Sequence, residues 1–465
     1  MSNPKNTIRG WRATGALLLV LALALAACGD ADEAADTAAD EGPVTADEEP
    51  GGELADEVAA LDDIDLDGVE IDFWHIQATI YGDAMTEIAA DFNEWNPWGI
   101  TVNEIFQGNY DELNQGLRAS LAGGGAPPVT MAYEDDVLEY RQGGAIVPLD
   151  KYIAHPEYGV SEEEMNDMLQ AILERQRLDL YDGQTLTWPH GNSSQGMYVN
   201  LDLLAEAGID SPPTTWDEFI EQARTFKEET GKPYIAVGTG LNWTYYNILR
   251  SKGIQPWDGG TGEVNFDNPE SVEALEVIRT LADEDLAVQV DDTEQEFTNA
   301  RVAIEIGTTA RVETKDEAVG DAFDWTVVLT PQDTDDPITT MWGGNHAILD
   351  QGDEAKHLAA WLFMRYFAGP EAQATYSSMT GYSPAVESAL EDERLAANFD
   401  EVPQKREVFE NVFVHAEIMP PSAAARSIHD VVNNITSEVW LGRAAPEEAA
   451  PRLQQEAQAT MDDFN

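Results

Sequence analysis

The chain has 465 residues, of which 88 are Asp or Glu and only 25 are Lys or Arg, for a formal net charge of −63. So few cations among so many acids cannot build the dominant basic face that nucleic-acid binding needs, and a single cysteine rules out an internal disulfide. The acids are spread along the whole chain, so the surface repels itself in dilute salt and is relieved in molar salt, where the screening length is about 3 Å; a halophilic source is the expectation.

Lys5, Arg9 and Arg12 precede an apolar run from Ala13 to Ala27, which ends in Leu25-Ala26-Ala27-Cys28. This charged, apolar, small-residue order is that of a secretory signal. The run is shorter than the roughly 20 residues a membrane-crossing helix needs, so residues 1–27 are expected to be cleaved. The Leu-Ala-Ala-Cys end resembles a bacterial lipobox, which would make Cys28 the lipid attachment point of an anchored, otherwise soluble body at the outer face of a membrane. From Gly29 to about Gly68 the composition is Ala, Asp, Glu, Gly and Pro with almost no aromatic content. Such a segment is read as a disordered, self-repelling acidic tether over 28–68.

About 400 residues remain, more than a single core usually organises, so two lobes are expected. Val69 to Ile76 reads as a strand, and Asp83 to Trp95 as a helix with Met85, Ile88, Ala89 and Phe92 on one face. Val102 to Phe106 is a second strand, Asp111 to Leu121 a second helix, and Pro128 to Tyr133 is extended. Thr215-Trp216-Asp217-Glu218 has capping-box spacing, with Gly231 as the stop. Asn268-Pro269 opens another helix, Arg301 to Ile306 returns to strand, and the last hundred residues read mainly helical. Alternation of strand and helix predicts an α/β fold with a mostly parallel sheet. No nucleophile elbow, zinc-protease motif or phosphate loop is present, and the seven histidines lack metal-ligand spacing. An enzyme is therefore not expected.

Phe73-Trp74-His75, Gly108-Asn109-Tyr110, Tyr133-Glu134, Asn192-Ser193-Ser194, Trp342-Gly343-Gly344, Thr380-Gly381-Tyr382-Ser383-Pro384 and Val439-Trp440-Leu441-Gly442 follow one another in an order that resembles the family 1 extracellular solute-binding proteins. Within that family the likeness is to the glycerol-3-phosphate-binding proteins. The resemblance implies a two-lobe, type II periplasmic-binding-protein-like fold with a hinge, with one lobe near 69–186 and 298–342 and the other near 187–297 and 343–465. It implies a monomeric receptor that captures glycerol-3-phosphate, a glycerophosphodiester or a related carbohydrate for the permease subunits of an ABC importer, without cofactor or metal. A neutral oligosaccharide, or a sensing role at a membrane receptor, is the alternative.

By position, family ligand contacts would fall on Tyr110, Glu134, Ser193, Gly344 and Tyr382, with Thr308 or Thr309 where the family has serine. Trp243 and Tyr382 offer aromatic faces to the C–H face of a polyol or sugar. In the family an arginine stands in the late helix where this chain has His429. Arg426, three residues earlier on the same helical side, and Arg311 are the candidates to replace it, because phosphate is bound through guanidinium groups or helix N-terminal amides.

Overall fold

Ile71, Phe73 and His75 are buried on one side of an extended segment whose intervening residues are more exposed, which makes Glu70–His75 (β1) a half-buried strand. The structure, a computed structural model, describes residues 43–464; the expected signal segment, Cys28 and the first part of the tether lie outside the described residues. The helix Ile80–Trp95 buries Met85, Ile88, Ala89 and Phe92, as the 3.6-residue period predicts. It leads into Thr101–Phe106 (β2), and Val129–Ala132 (β3) follows, both parallel to β1.

The remaining strands are Trp188–Pro189 (β4), Ser193–Asn200 (β5), Ile235–Gly238 (β6), Ala287–Val290 (β7), Ile304–Thr308 (β8), Trp325–Val328 (β9), Thr339–Trp342 (β10), Asn345–Ile348 (β11) and Ala416–Glu417 (β12). A five-stranded sheet has the order β2-β1-β3-β11-β4, and a seven-stranded sheet the order β12-β10-β5-β8-β6-β7, with β9 also paired to β5. The chain crosses between the sheets at β4 to β5 and returns at β10 to β11. These crossings make the sheets mixed where a mostly parallel arrangement was expected: β11 runs antiparallel to β3 and β4, and β5 antiparallel to β8, β9 and β10.

The division of the chain also differs from the expected one. Segment 298–342 supplies β8, β9 and β10 to the seven-stranded sheet, while Trp188–Pro189, β11 and the helices Glu354–Ala368 and Pro370–Met379 stand with the five-stranded sheet and its core. The physical reason is pairing. Residues 195–199 of β5 hydrogen-bond to β8, so the segment carrying β8 lies wherever β5 goes. One core packs the five-stranded sheet and continues onto one face of the other; a second core fills the opposite face with Phe219, Phe226, Leu249, Ile278 and Val432.

The acidic segment expected to be disordered is folded from Pro43 onward. Gly52–Ala59 is a helix, Ala60–Asp63 a 3₁₀ turn, and Val58, Leu61 and Leu66 are buried. The Ala46 amide donates to the Val160 carbonyl at 2.9 Å, and Asp47 accepts from the Glu162 amide at 2.7 Å. A few apolar residues among many acids disappear in an averaged composition, yet they suffice to dock the segment.

Candidate functional site

Two adjoining chambers lie where the chain crosses between the sheets. Gly343 makes the turn possible: its φ is 110°, a region that disfavours side chains, and a Cβ there would run into the Gly191 carbonyl of the other crossing. At Gly344 a Cβ would lie 2.5 Å from the Tyr110 phenol oxygen, so the missing side chain is the space Tyr110 occupies.

The first chamber, a cavity of about 390 Å³, draws its walls from both sheets' sides. Asn109 caps the helix Tyr110–Gly123 through a full capping box, which sets Tyr110 at the first helical position, and its ring lies 4.6 Å from that of Tyr133. Glu134, Asp135 and Asp136 open the helix Glu134–Gln142, a favourable place for acids because the helix N-terminus is electropositive. Opposite them, Trp243 packs edge-on to Trp342 with centroids 5.4 Å apart, and Trp243, Tyr246 and Trp257 enclose His429. Burial, followed by the nearby Arg426 charge, lowers His429 to about 4, so near neutral pH its ring carries no charge. Its Nδ1 lies 3.0 Å from the Tyr246 hydroxyl.

Each charge at this chamber has a different situation. Glu134 pairs with Nε of the fully buried Arg175, whose Nη2 donates to the Gly343 carbonyl, and Asn345 donates to Glu134 Oε1 at 2.7 Å. Asp136 accepts from Asn114 at 2.8 Å, caps Tyr133, and lies 3.5 Å from Arg426, which also bonds Asp111. Asp135 accepts the Ser422 amide at 2.8 Å and, among the described residues, has no salt-bridge partner. Burial is the first cause that raises its carboxyl to about 7; the Ser422 bond and Arg426 oppose the shift, and Glu134 and Asp136 add to it.

The second chamber, about 420 Å³, shares Tyr133 and Trp342 with the first and is lined by Tyr81, Ser193, Thr308, Arg311 and Tyr382. Tyr382 stacks on Tyr376 at 5.0 Å and meets Tyr81 edge-on. Thr308 Oγ1 donates to Ser193 Oγ at 3.2 Å. The Arg311 side chain is half exposed, faces Glu294 at 3.9 Å and lies over the Tyr81 ring.

Of the residues predicted from the sequence, Tyr110, Glu134, Trp243, Arg426 and His429 thus line the first chamber, and Ser193, Thr308 and Tyr382 the second. Gly344 lines neither and acts by making room for Tyr110. Thr309 is fully buried and accepts the Ser194 amide at 2.9 Å, which makes it framework. Sequence reasoning passed over Tyr133, Asp135, Asp136, Trp257, Trp342 and Arg175. Tyr133 and Trp342 stand inside the motifs that carry the resemblance and were findable there; Trp257 and Arg175 carry no local signal.

Residues 87–402 match the family described as bacterial extracellular solute-binding protein. The glycerol-3-phosphate-binding periplasmic protein UgpB of Rhizobium meliloti is 24% identical over 72% of this chain and 79% of its own. Among solved structures, the cyclic α-maltosyl-1,6-maltose binding protein of Arthrobacter globiformis superposes with a TM-score of 0.73 at 22% identity, covering 85% of this chain and 99% of that one. UgpB of Mycobacterium tuberculosis, solved in complex with glycerophosphocholine, gives 0.73 at 20% identity over 85% and 98%. The fold is thus the α/β fold of the periplasmic binding proteins. Among the described residues no helix is long and apolar enough to cross a membrane.

Proposed function

The chain belongs to the bacterial extracellular solute-binding protein family, and we propose that it is the receptor of an ABC importer, tethered through Cys28, whose first chamber takes a carbohydrate-like group without phosphate. One observation carries this choice of ligand: Arg426, the cation lining that chamber unshielded by burial, is bonded to Asp111 and Asp136, while His429 is neutral. A phosphate needs charged or multiple donors to offset its desolvation, whereas sugar hydroxyls donate to carboxylates and sugar C–H faces pack on Tyr and Trp rings. Walls drawn from both sheets' sides suit a binding cycle in which ligand favours the closed form by touching both. As a receptor, the protein returns its ligand unchanged.

A second reading rests on Arg311. It stands beside the Ser193 and Thr308 hydroxyls in the second chamber, where the phosphate of a glycerophosphodiester would meet it. Calorimetric titration of the chain from Gly29 onward, in molar potassium chloride, with maltose, trehalose, glycerol-3-phosphate and glycerophosphocholine separates the two. Micromolar binding, about 8 kcal/mol, of a neutral sugar but not of glycerol-3-phosphate is the expected result. Binding of the phosphorylated compounds alone overturns the carbohydrate reading in favour of the second.

A further inference from the structure

The first chamber combines two features that point to one chemistry. Five aromatic rings, Tyr110, Tyr133, Trp243, Trp257 and Trp342, contribute walls from both sides. Beside them is Asp135, half-buried and, among the described residues, without a salt bridge, while its neighbours Glu134 and Asp136 have Arg175 and Arg426. We propose that the ligand carries an organic cation, a protonated amine or a quaternary ammonium, which lodges among these rings with Asp135 as its counter-charge. This deepens the carbohydrate reading and rests on it: the favoured solute is an amino sugar or another polar molecule bearing an ammonium group.

A carboxylate shielded from water and lacking a counter-charge is costly to keep ionised. A sugar hydroxyl can donate to Asp135 but brings no charge, whereas an ammonium brings donor and charge together, or charge alone when quaternary. Aromatic faces attract cations, Trp most strongly, and three of the five rings are Trp. The groups facing Asp135 are Glu134, Asp136, Arg426 and the Ser422 amide. Arg426 already serves Asp111 and Asp136, so it does not complete the balance.

The two kinds of ligand differ in proton exchange. Below pH 7 Asp135 holds a proton in the ligand-free protein; a neutral ligand leaves it in place, whereas an ammonium displaces it. The test uses matched pairs that differ in charge and little else: choline against 3,3-dimethylbutan-1-ol, and glucosamine against glucose. Calorimetry at pH 6 in two buffers of different ionisation enthalpy measures affinity and protons together. The expected result is that the charged member of each pair binds at least tenfold tighter and releases close to one proton, that neutral sugars bind with little proton exchange, and that Asp135→Asn, which can still accept the Ser422 amide, abolishes both the preference and the release. Equal binding within both pairs, or a preference that survives Asp135→Asn, overturns the proposal. So does failure of both charged probes to bind. If maltose binds while they do not, the carbohydrate reading stands and only the cation assignment falls; if neither kind binds, both fall.

Discussion

Arg426 reaches from the helix Ala425–Trp440 to Asp111 at the start of the helix Tyr110–Gly123, and so joins the side of the seven-stranded sheet to that of the five-stranded sheet. A cation at the second position of a helix opposes the electropositive N-terminus, and this helix has no acid in its first turn. The bonds to Asp111 and Asp136 are what hold it there. Because the guanidinium is more than half exposed, its pairing is screened. Arg426→Gln should weaken binding of every ligand alike, by about two- to fivefold, the range of an exposed ion pair. A selective loss of glycerophosphocholine against maltose would instead identify Arg426 as a phosphate contact.

Glu134 does more than line a wall. Removing its carboxylate leaves Arg175 buried without a counter-charge, and breaking such a pair costs about 3–5 kcal/mol. Glu134→Ala should therefore lower the denaturation midpoint markedly before any effect on ligand is considered. This departs from the sequence-level picture of a simple ligand contact. An unchanged melting temperature would refute the structural role.

Trp243 and Tyr382 present their rings to different chambers. Trp243→Ala and Tyr382→Ala should each weaken ligand by about 1–3 kcal/mol, the usual range for a packed aromatic contact. If only Trp243→Ala changes affinity, the ligand is confined to the first chamber, and titration of both variants with the same ligand decides it.

The raised Asp135 carboxyl sets a pH dependence. Its folded value of about 7 lies above the ordinary 3.8, so the folded protein holds the proton more tightly than the unfolded chain. Its contribution to stability is full below about pH 4, falls as pH rises toward 7, and is level above that. Asp135→Asn should thus raise the melting temperature of the ligand-free protein more at pH 8 than at pH 4. A gain equal at both values would show that Asp135 does not titrate in this range.

Cys28→Ala in the full chain should move the protein from the membrane fraction to the soluble one without altering ligand affinity. Retention in membranes would show that the apolar segment Ala13 to Ala27 is itself the anchor.

Much of the local structure was legible because it depends on nearest neighbours. The helix Ile80–Trp95 follows from the spacing of Met85, Ile88, Ala89 and Phe92. Thr215, as expected, accepts the Glu218 amide at 3.2 Å, and Gly231 ends that helix in the left-handed region. The reciprocal half of the predicted capping box is displaced by one residue, since Glu218 accepts from the Thr214 amide and hydroxyl. Where apolar residues are sparse, as at Val58, Leu61 and Leu66, the acidic background concealed a folded segment.

The sequence alone determined the alternation of strands and helices, the lack of catalytic motifs and, through ordered motifs, the family and half or more of the chamber-lining positions it named. Those properties reside in short stretches whose residues act on one another directly. Only the tertiary structure decided that 298–342 joins the seven-stranded sheet, that Arg175 neutralises Glu134, that Arg426 is taken by Asp111 and that Asp135 has no salt bridge among the described residues. Strand pairing and charge compensation link residues dozens to hundreds of positions apart, and in a chain with 88 acids no local pattern tells which carboxylate will lack a partner.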